Sequence, residues 1–260
     1  VKPQSQGWGF CLCCVAMTGL SEGVLDEWRE RLRQAMLGHP QHHLNWRLRR
    51  DFYVELGNET PEARAFRGWL AVLCAQKVLP IAMTHLPDES LPFRQLSAAL
   101  QLLKGGIPAE SIQRLLDAGY HFVYHECLDG SHRRDVQRAV FCGYKALLEA
   151  QGEFQPDPFG GLGPEWVDSA EAEFQSAATA EAASYAATAW VGSSGTDDAD
   201  ILVIDPEKLR DFWLWWLDEG WPIAFQLAQR FQFVPRLQPD PVSLNADLHS
   251  EPLSEYDKEE

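Results

Sequence analysis

The stretch that decides the fold is Asp205-Pro-Glu-Lys-Leu-Arg-Asp-Phe-Trp-Leu-Trp-Trp-Leu-Asp-Glu-Gly-Trp-Pro222, which holds four of the ten tryptophans of this 260-residue chain. Asp205 followed by Pro206 is typical of a helix start, because the aspartate can cap free N–H groups and proline suits the first helical turn. At about 100° per residue, one broad apolar face collects Leu209, Phe212, Trp213, Trp216 and Leu217. The stretch therefore predicts an amphipathic helix that packs into a core.

The opposite face of this helix is polar except at one position. It carries Glu207, Lys208, Asp211, Asp218 and Glu219, and Trp215 lies in the middle of them. A tryptophan surrounded by carboxylates is typical of an interface anchor, because aromatic side chains dominate binding hot spots. The alternative is that another helix or the C-terminal tail covers Trp215 within the same chain.

Charge is distributed unevenly along the sequence. Residues 1–150 carry a net charge of +1 and residues 151–260 carry −17, which together give −16. An acidic half repels nucleic acid and anionic membranes and attracts basic partners, so we expect no nucleic-acid and no membrane partner. Arg47, Arg49 and Arg50 resemble a nucleic-acid patch, but a helix places them on more than one face. They are expected to pair with the acidic half instead.

Start and stop residues divide the chain into about eight helices, with no convincing strand pair. The helices before the tryptophan stretch are predicted over residues 21–37, 45–56, 60–79, 91–104, 108–127, 131–151 and 164–191. Pro80 is expected to end or kink the third of them. The seventh is rich in alanine, so it can approach its neighbours closely in the middle of a bundle. The sequence predicts an all-α multi-helix bundle, with stacked helical hairpins as the alternative arrangement.

The domain organisation is predicted from composition. Residues 1–19 show little pattern, and we treat them as a segment of doubtful origin outside the fold. Residues 20–236 are expected to form a single helical domain with a proline- and glycine-rich break at 153–163. Residues 237–260 are polar, acidic and proline-containing, which is typical of a disordered tail.

The cysteines and histidines of the sequence give no positive indication of an enzyme. The six cysteines have no disulfide-framework spacing, which favours a reducing cytoplasm, and Cys74 and Cys142 fall in helical apolar patterns. His121 and His125 share one helix face at a spacing that suits a transition metal, but no third ligand is spaced to complete the site. We therefore expect no cofactor and no metal. The alternative that remains is a helical metal-dependent enzyme using His121 and His125.

Two stretches resemble the fifth immunity-protein family of bacterial polymorphic toxin systems. The first is Arg64-Ala-Phe-Arg-Gly-Trp-Leu-Ala-Val-Leu-Cys-Ala-Gln-Lys-Val-Leu-Pro80, followed by Leu86-Pro-Asp-Glu-Ser-Leu-Pro92 and a helix ending near Lys104. The second combines Ala186-Ala-Thr-Ala-Trp190 with the tryptophan stretch. The resemblance covers residues 60–228 and leaves the N-terminal segment and the acidic tail outside.

The resemblance implies an all-α, non-enzymatic protein that neutralises a cognate toxin by binding it. It supplies no catalytic residue and does not say which residues touch the toxin. Charge clustering and the position of Trp215 lead us to expect a contact surface, and a basic nuclease-type toxin domain would complement its charge. That expected surface comprises Asp197, Asp198, Asp200, Asp211, Trp215, Asp218 and Glu219.

Overall fold

The computed structural model describes residues 21–56, 60–123, 133–152, 181–192 and 204–231. Within these ranges the chain is helical and contains no β-strand, which confirms the all-α prediction. The helices are α1 (Glu22–Gly38), α2 (Trp46–Leu56), α3 (Pro61–His85), α4 (Leu91–Leu103), α5 (Gln113–His121), α6 (Arg134–Gln151), α7 (Ala182–Val191), α8 (Pro206–Trp215) and α9 (Trp221–Arg230). A short 3₁₀ turn, Ala109–Ile112, precedes α5, and a π turn, Trp216–Gly220, joins α8 to α9.

Three of the predicted helix starts are capped by the side chains that predicted them. The Ser21 hydroxyl accepts a hydrogen bond from the Val24 N–H, and the Thr60 hydroxyl accepts one from the Ala63 N–H. The Asp205 carboxylate accepts from the first free N–H groups of α8 at 3.0 and 3.2 Å. These signals work because a cap satisfies a donor only a few residues away.

Helix α3 lies at the centre of the bundle, packed against α4, α6, α7 and α9. Pro80 does not end it, because the helix continues to His85, and the predicted end at residue 79 is wrong. By length and composition α3 could also cross a membrane, yet most of it is buried inside the bundle. A central helix of a large helical core has the same apolar character.

In the structure, the helix predicted over residues 164–191 does not include Glu181, whose backbone is extended at φ −108° and ψ 144°. Helix α7 therefore begins at Ala182, whose N–H donates to the Glu149 carboxylate of α6 at 2.8 Å. A cap supplied from another helix gave no local signal in the sequence. Every residue of α7 except Trp190 is buried, as its small side chains predict. The remainder of that predicted helix and the break at 153–163 lie outside the described residues.

The tryptophan stretch continues through Pro222 into α9. Proline has no N–H to donate and its ring collides with the carbonyl four residues earlier, which would break a regular helix. The π turn relieves this conflict by adding a residue, and the Trp221 N–H donates to the Trp216 carbonyl. The predicted apolar face is confirmed, because its five members are all buried: Leu209, Phe212, Trp213, Trp216 and Leu217.

Candidate functional site

Trp215 lies at the end of α8 and is half-buried. Its ring centroid is 5.6 Å from that of Phe212 on the same helix and 4.3 Å from the Lys77 ammonium of α3. The residue therefore packs against the core along one side and remains partly accessible. Its cover includes the Lys77 side chain of α3, which agrees with the alternative that another helix of the same chain covers Trp215 in part.

Lys77 also lies over the ring of Trp190, with its Nζ 4.5 Å from that centroid. A lysine held between two indole rings gains from the negative face of each ring. Burial lowers the pKa of Lys77, and the Glu219 carboxylate opposes that shift. We call Trp190, Lys77 and Trp215 the lysine clamp. It joins α3, α7 and α8 at one place on the molecule.

The three predicted carboxylates near Trp215 each have a basic group nearby. Asp211 pairs with Arg210 at 3.3 Å, and Asp218 pairs with Arg33 of α1. Glu219 interacts electrostatically with Lys77. The carboxylates of α8 and the π turn are therefore largely compensated within the chain.

Most of the acidic charge of residues 151–260 lies outside the described residues. Segments 153–180, 193–203 and 232–260 together hold 16 Asp and Glu and two basic residues, a net charge of −14. Asp197, Asp198 and Asp200 belong to the second of these segments. That segment begins directly after Gly192, two residues beyond Trp190, and ends before Ile204, at the start of α8. The lysine clamp thus joins one end of this acidic segment to Trp215.

Comparison with known protein families supplies the decisive observation. Residues 29–223 match the family described as Immunity protein Imm5, a span that runs from within α1 to the start of α9. The chain belongs to the Imm5 immunity protein family. Membership gives it a toxin-inhibiting immunity role, and all three residues of the clamp lie within the matched span. A search of curated proteins found no match.

The Imm5 chain also contains a buried ion pair that links α2 to the start of α7. The Arg49 guanidinium bonds to the Glu181 carboxylate and to the Leu44 carbonyl, and it lies 5.0 Å from the Trp213 ring centroid. Arg49 is fully buried. The expectation that the arginines pair with the acidic half is confirmed for Arg49, whereas Arg50 pairs with Asp51 of its own helix. The burial of Arg49 also removes it from the arginine patch, which argues against nucleic-acid binding there.

Burial shifts three titratable groups in the core of this Imm5 protein toward their uncharged forms. Burial raises the pKa of the Cys74 and Cys142 thiols well above the usual range, so both thiols stay protonated. Burial also raises the pKa of Glu149 to about 8. Its carboxyl group accepts the Ala182 N–H and so serves a structural purpose.

The described residues offer little support for the alternative of a metal-dependent enzyme that uses His121 and His125. His121 ends α5 and is exposed, and His125 lies outside the described residues. In the described part of the chain, no three His, Cys, Asp or Glu side chains group together so that they could hold a metal ion.

Lys77 and Trp190 are the members of the Imm5 clamp that our reading of individual residues missed as candidates. Lys77 is the single Lys or Arg between Arg67 and Arg94. An isolated cation in an apolar stretch of a helix needs a specific partner. The isolated charge could have identified Lys77 as a candidate. The sequence gives no indication that Trp190 and Trp215 are its partners.

Proposed function

We propose that this Imm5 protein binds its cognate toxin through the surface around the lysine clamp and blocks the toxin by occlusion. The proposed contact residues are Trp215 and Glu219, with Asp211 and Asp218 beside them and Asp197, Asp198 and Asp200 in the segment that follows α7. No enzymatic step is needed. The protein would act in the cytoplasm of the cell that produces the toxin.

The observation that carries this proposal is the half-buried position of Trp215 in the clamp. Lys77 and Phe212 contact its ring, so Trp215 is largely held in place before any partner arrives. An aromatic side chain that is already ordered loses little entropy on binding, which is what a hot spot needs. The ends of the neighbouring acidic segment, Gly192 and Ile204, are fixed by α7 and α8.

Charge supports a basic toxin domain as the partner. The net charge of −14 on the three acidic segments would attract a basic surface over several ångströms and speed encounter. Nuclease domains have basic clefts for their phosphate substrates, so they are the toxin class that this charge favours. Acidic segments would then set the association rate, and Trp215 would set the dissociation rate.

The test is the affinity of Trp215→Ala for the toxin domain encoded beside the immunity gene. We expect a loss of at least 30-fold, because truncating a central aromatic anchor typically costs more than about 2 kcal/mol. Phe93→Ala is the matched control. Phe93 is a more exposed aromatic residue, on α4, which packs against α3, α5 and α6.

The control should bind within about threefold of the natural protein. Circular dichroism and thermal unfolding must show that both variants are folded. If Trp215→Ala binds as tightly as Phe93→Ala, the toxin uses another surface. The toxin class is tested separately by assaying the isolated toxin on DNA and RNA, with and without this protein.

A further inference from the structure

A groove of about 390 Å³ opens between α3, the end of α4 and the end of α9. Most of its lining is apolar and includes Trp69, Leu73, Leu100 and Leu227. Two cations, Lys104 and Arg230, also line it. The groove therefore suits a segment that combines apolar side chains with carboxylates.

The chain itself leaves α9 at this groove. Phe231, which follows the last residue of α9, lines the groove, and its ring centroid is 5.5 Å from that of Trp69. The residues that follow Phe231 therefore start from the wall of the groove. Tethering gives such a segment a high effective concentration there, which no separate molecule can match at ordinary cellular concentrations.

The composition of residues 232–260 complements the groove in the order in which the chain reaches it. Phe233, Val234 and Leu237 come first, with Arg236 among them, and Asp240 and Asp247 follow within the next ten residues. Residue 240 is nine residues beyond Phe231, so about 30 Å of chain is available to reach the two cations. Prolines in this segment disfavour a helix and suit an extended peptide.

We propose that the groove is the docking site of the C-terminal segment of the same chain, residues 232–247. The apolar side chains would cover the half-buried Leu73, Leu100 and Leu227, and Asp240 and Asp247 would face Lys104 and Arg230. The family match ends at residue 223, so the α9 wall of the groove and its occupant both lie beyond the matched span. The inference does not depend on the toxin-binding surface.

Zero-length cross-linking of the full-length protein tests the proposal directly. A carbodiimide joins the Lys104 amine to a carboxylate only when the two are in contact. We expect mass spectrometry to find Lys104 joined to Asp240 or Asp247. Mixing unlabelled with ¹⁵N-labelled protein separates links within one copy from links between copies. Links between copies would assign the groove to a second molecule and overturn the proposal, as would the absence of any link.

Limited trypsin digestion provides a second measurement that does not depend on the cross-linker. Docking should protect the bond after Arg236. Lys104→Glu should speed that cleavage at least fivefold, because it reverses one of the two groove charges. Arg94→Glu makes the same charge change on an exposed position of α4 and should stay within twofold of the natural protein. Equal rates in all three proteins would overturn the proposal.

Discussion

Lys77 and Trp215, 138 residues apart in the chain, lie in contact, with the lysine ammonium 4.3 Å from the centre of the indole ring. A second ring, that of Trp190, lies 4.5 Å from the same ammonium. This contact connects the central helix of the bundle to the proposed toxin-facing surface. The position of Trp215 is thus a consequence of core packing as well as of its own helix.

The first prediction concerns the contribution of the clamp to stability. Lys77→Ala removes both the aliphatic stem between the rings and the charge, and we expect it to cost about 1–2 kcal/mol. Lys77→Met restores the stem without the charge and should have intermediate stability. Urea unfolding of the three proteins measures this order. An alanine variant as stable as the natural protein would show that the clamp contributes nothing.

The second prediction follows from the raised pKa of Glu149, which is about 8 in the folded protein against 4.5 for the ordinary group. Between these pH values the folded state holds a proton that the unfolded state has lost. The protonated Glu149 carboxyl therefore makes its full contribution to folding stability below pH 4.5, and this contribution is lost as the pH rises through 8. From pH 6 to pH 8 the loss should be roughly 2 kcal/mol.

Glu149→Gln isolates this effect, because the amide oxygen can still accept the Ala182 N–H and cannot ionise. Denaturant unfolding at pH 6, 7 and 8 should show the natural protein losing stability relative to Glu149→Gln. The two proteins should be closest at the lowest pH. Parallel curves across this range would mean that Glu149 titrates normally in the folded state.

Local signals predicted much of this fold, and a non-local contact accounts for the missed start of α7. The starts at Ser21, Thr60 and Asp205 were predictable, because each cap lies within three residues of its donor. The start of α7 was not, because its cap comes from Glu149, 33 residues away. The candidate site likewise combines a feature that local sequence predicts with one that depends on residues far apart in the chain. The position of Trp215 on its helix could be deduced from periodicity, but its contact with Lys77 depends on how α3 and α8 pack.

The third prediction concerns glycine at a close helix contact. A Cβ at Gly119 would lie 1.8 Å from the buried Gln95 amide nitrogen and 2.9 Å from the Tyr144 ring. Gly119→Ala should therefore destabilise the protein by about 1–3 kcal/mol, the usual cost of overpacking. Gly23→Ala is the matched control, because nothing lies within 4 Å of a Cβ there and the site is exposed near the start of α1.

Alanine at Gly23 should raise stability by about 0.5–1 kcal/mol through its better helix propensity. The same substitution is thus expected to have opposite signs at two helical glycines. Thermal unfolding of both variants checks this. If both raised the melting temperature, the described packing of α5 against α4 and α6 would be incorrect.

The fourth prediction concerns the buried pair of Arg49 and Glu181. Removing either charge leaves the other buried without compensation, so Arg49→Met and Glu181→Gln should each cost about 3–5 kcal/mol. The double variant should cost clearly less than the sum of the two. A double-mutant cycle by denaturant unfolding measures the coupling. Additive costs would show that the two side chains act independently of each other.

The last prediction separates the two parts of the proposed binding mechanism. Replacing Asp197, Asp198 and Asp200 by asparagine should slow association with the toxin several-fold and leave dissociation nearly unchanged, because long-range charge acts on encounter. Trp215→Ala should speed dissociation and leave association nearly unchanged, because a desolvated anchor acts after encounter.

The association rate of the natural protein should fall about tenfold between 50 and 500 mM salt, and that of the triple variant should depend less on salt. Surface plasmon resonance gives both rates. A salt-independent association rate would exclude steering by the acidic segments. An unchanged dissociation rate for Trp215→Ala would separately exclude Trp215 as the anchor.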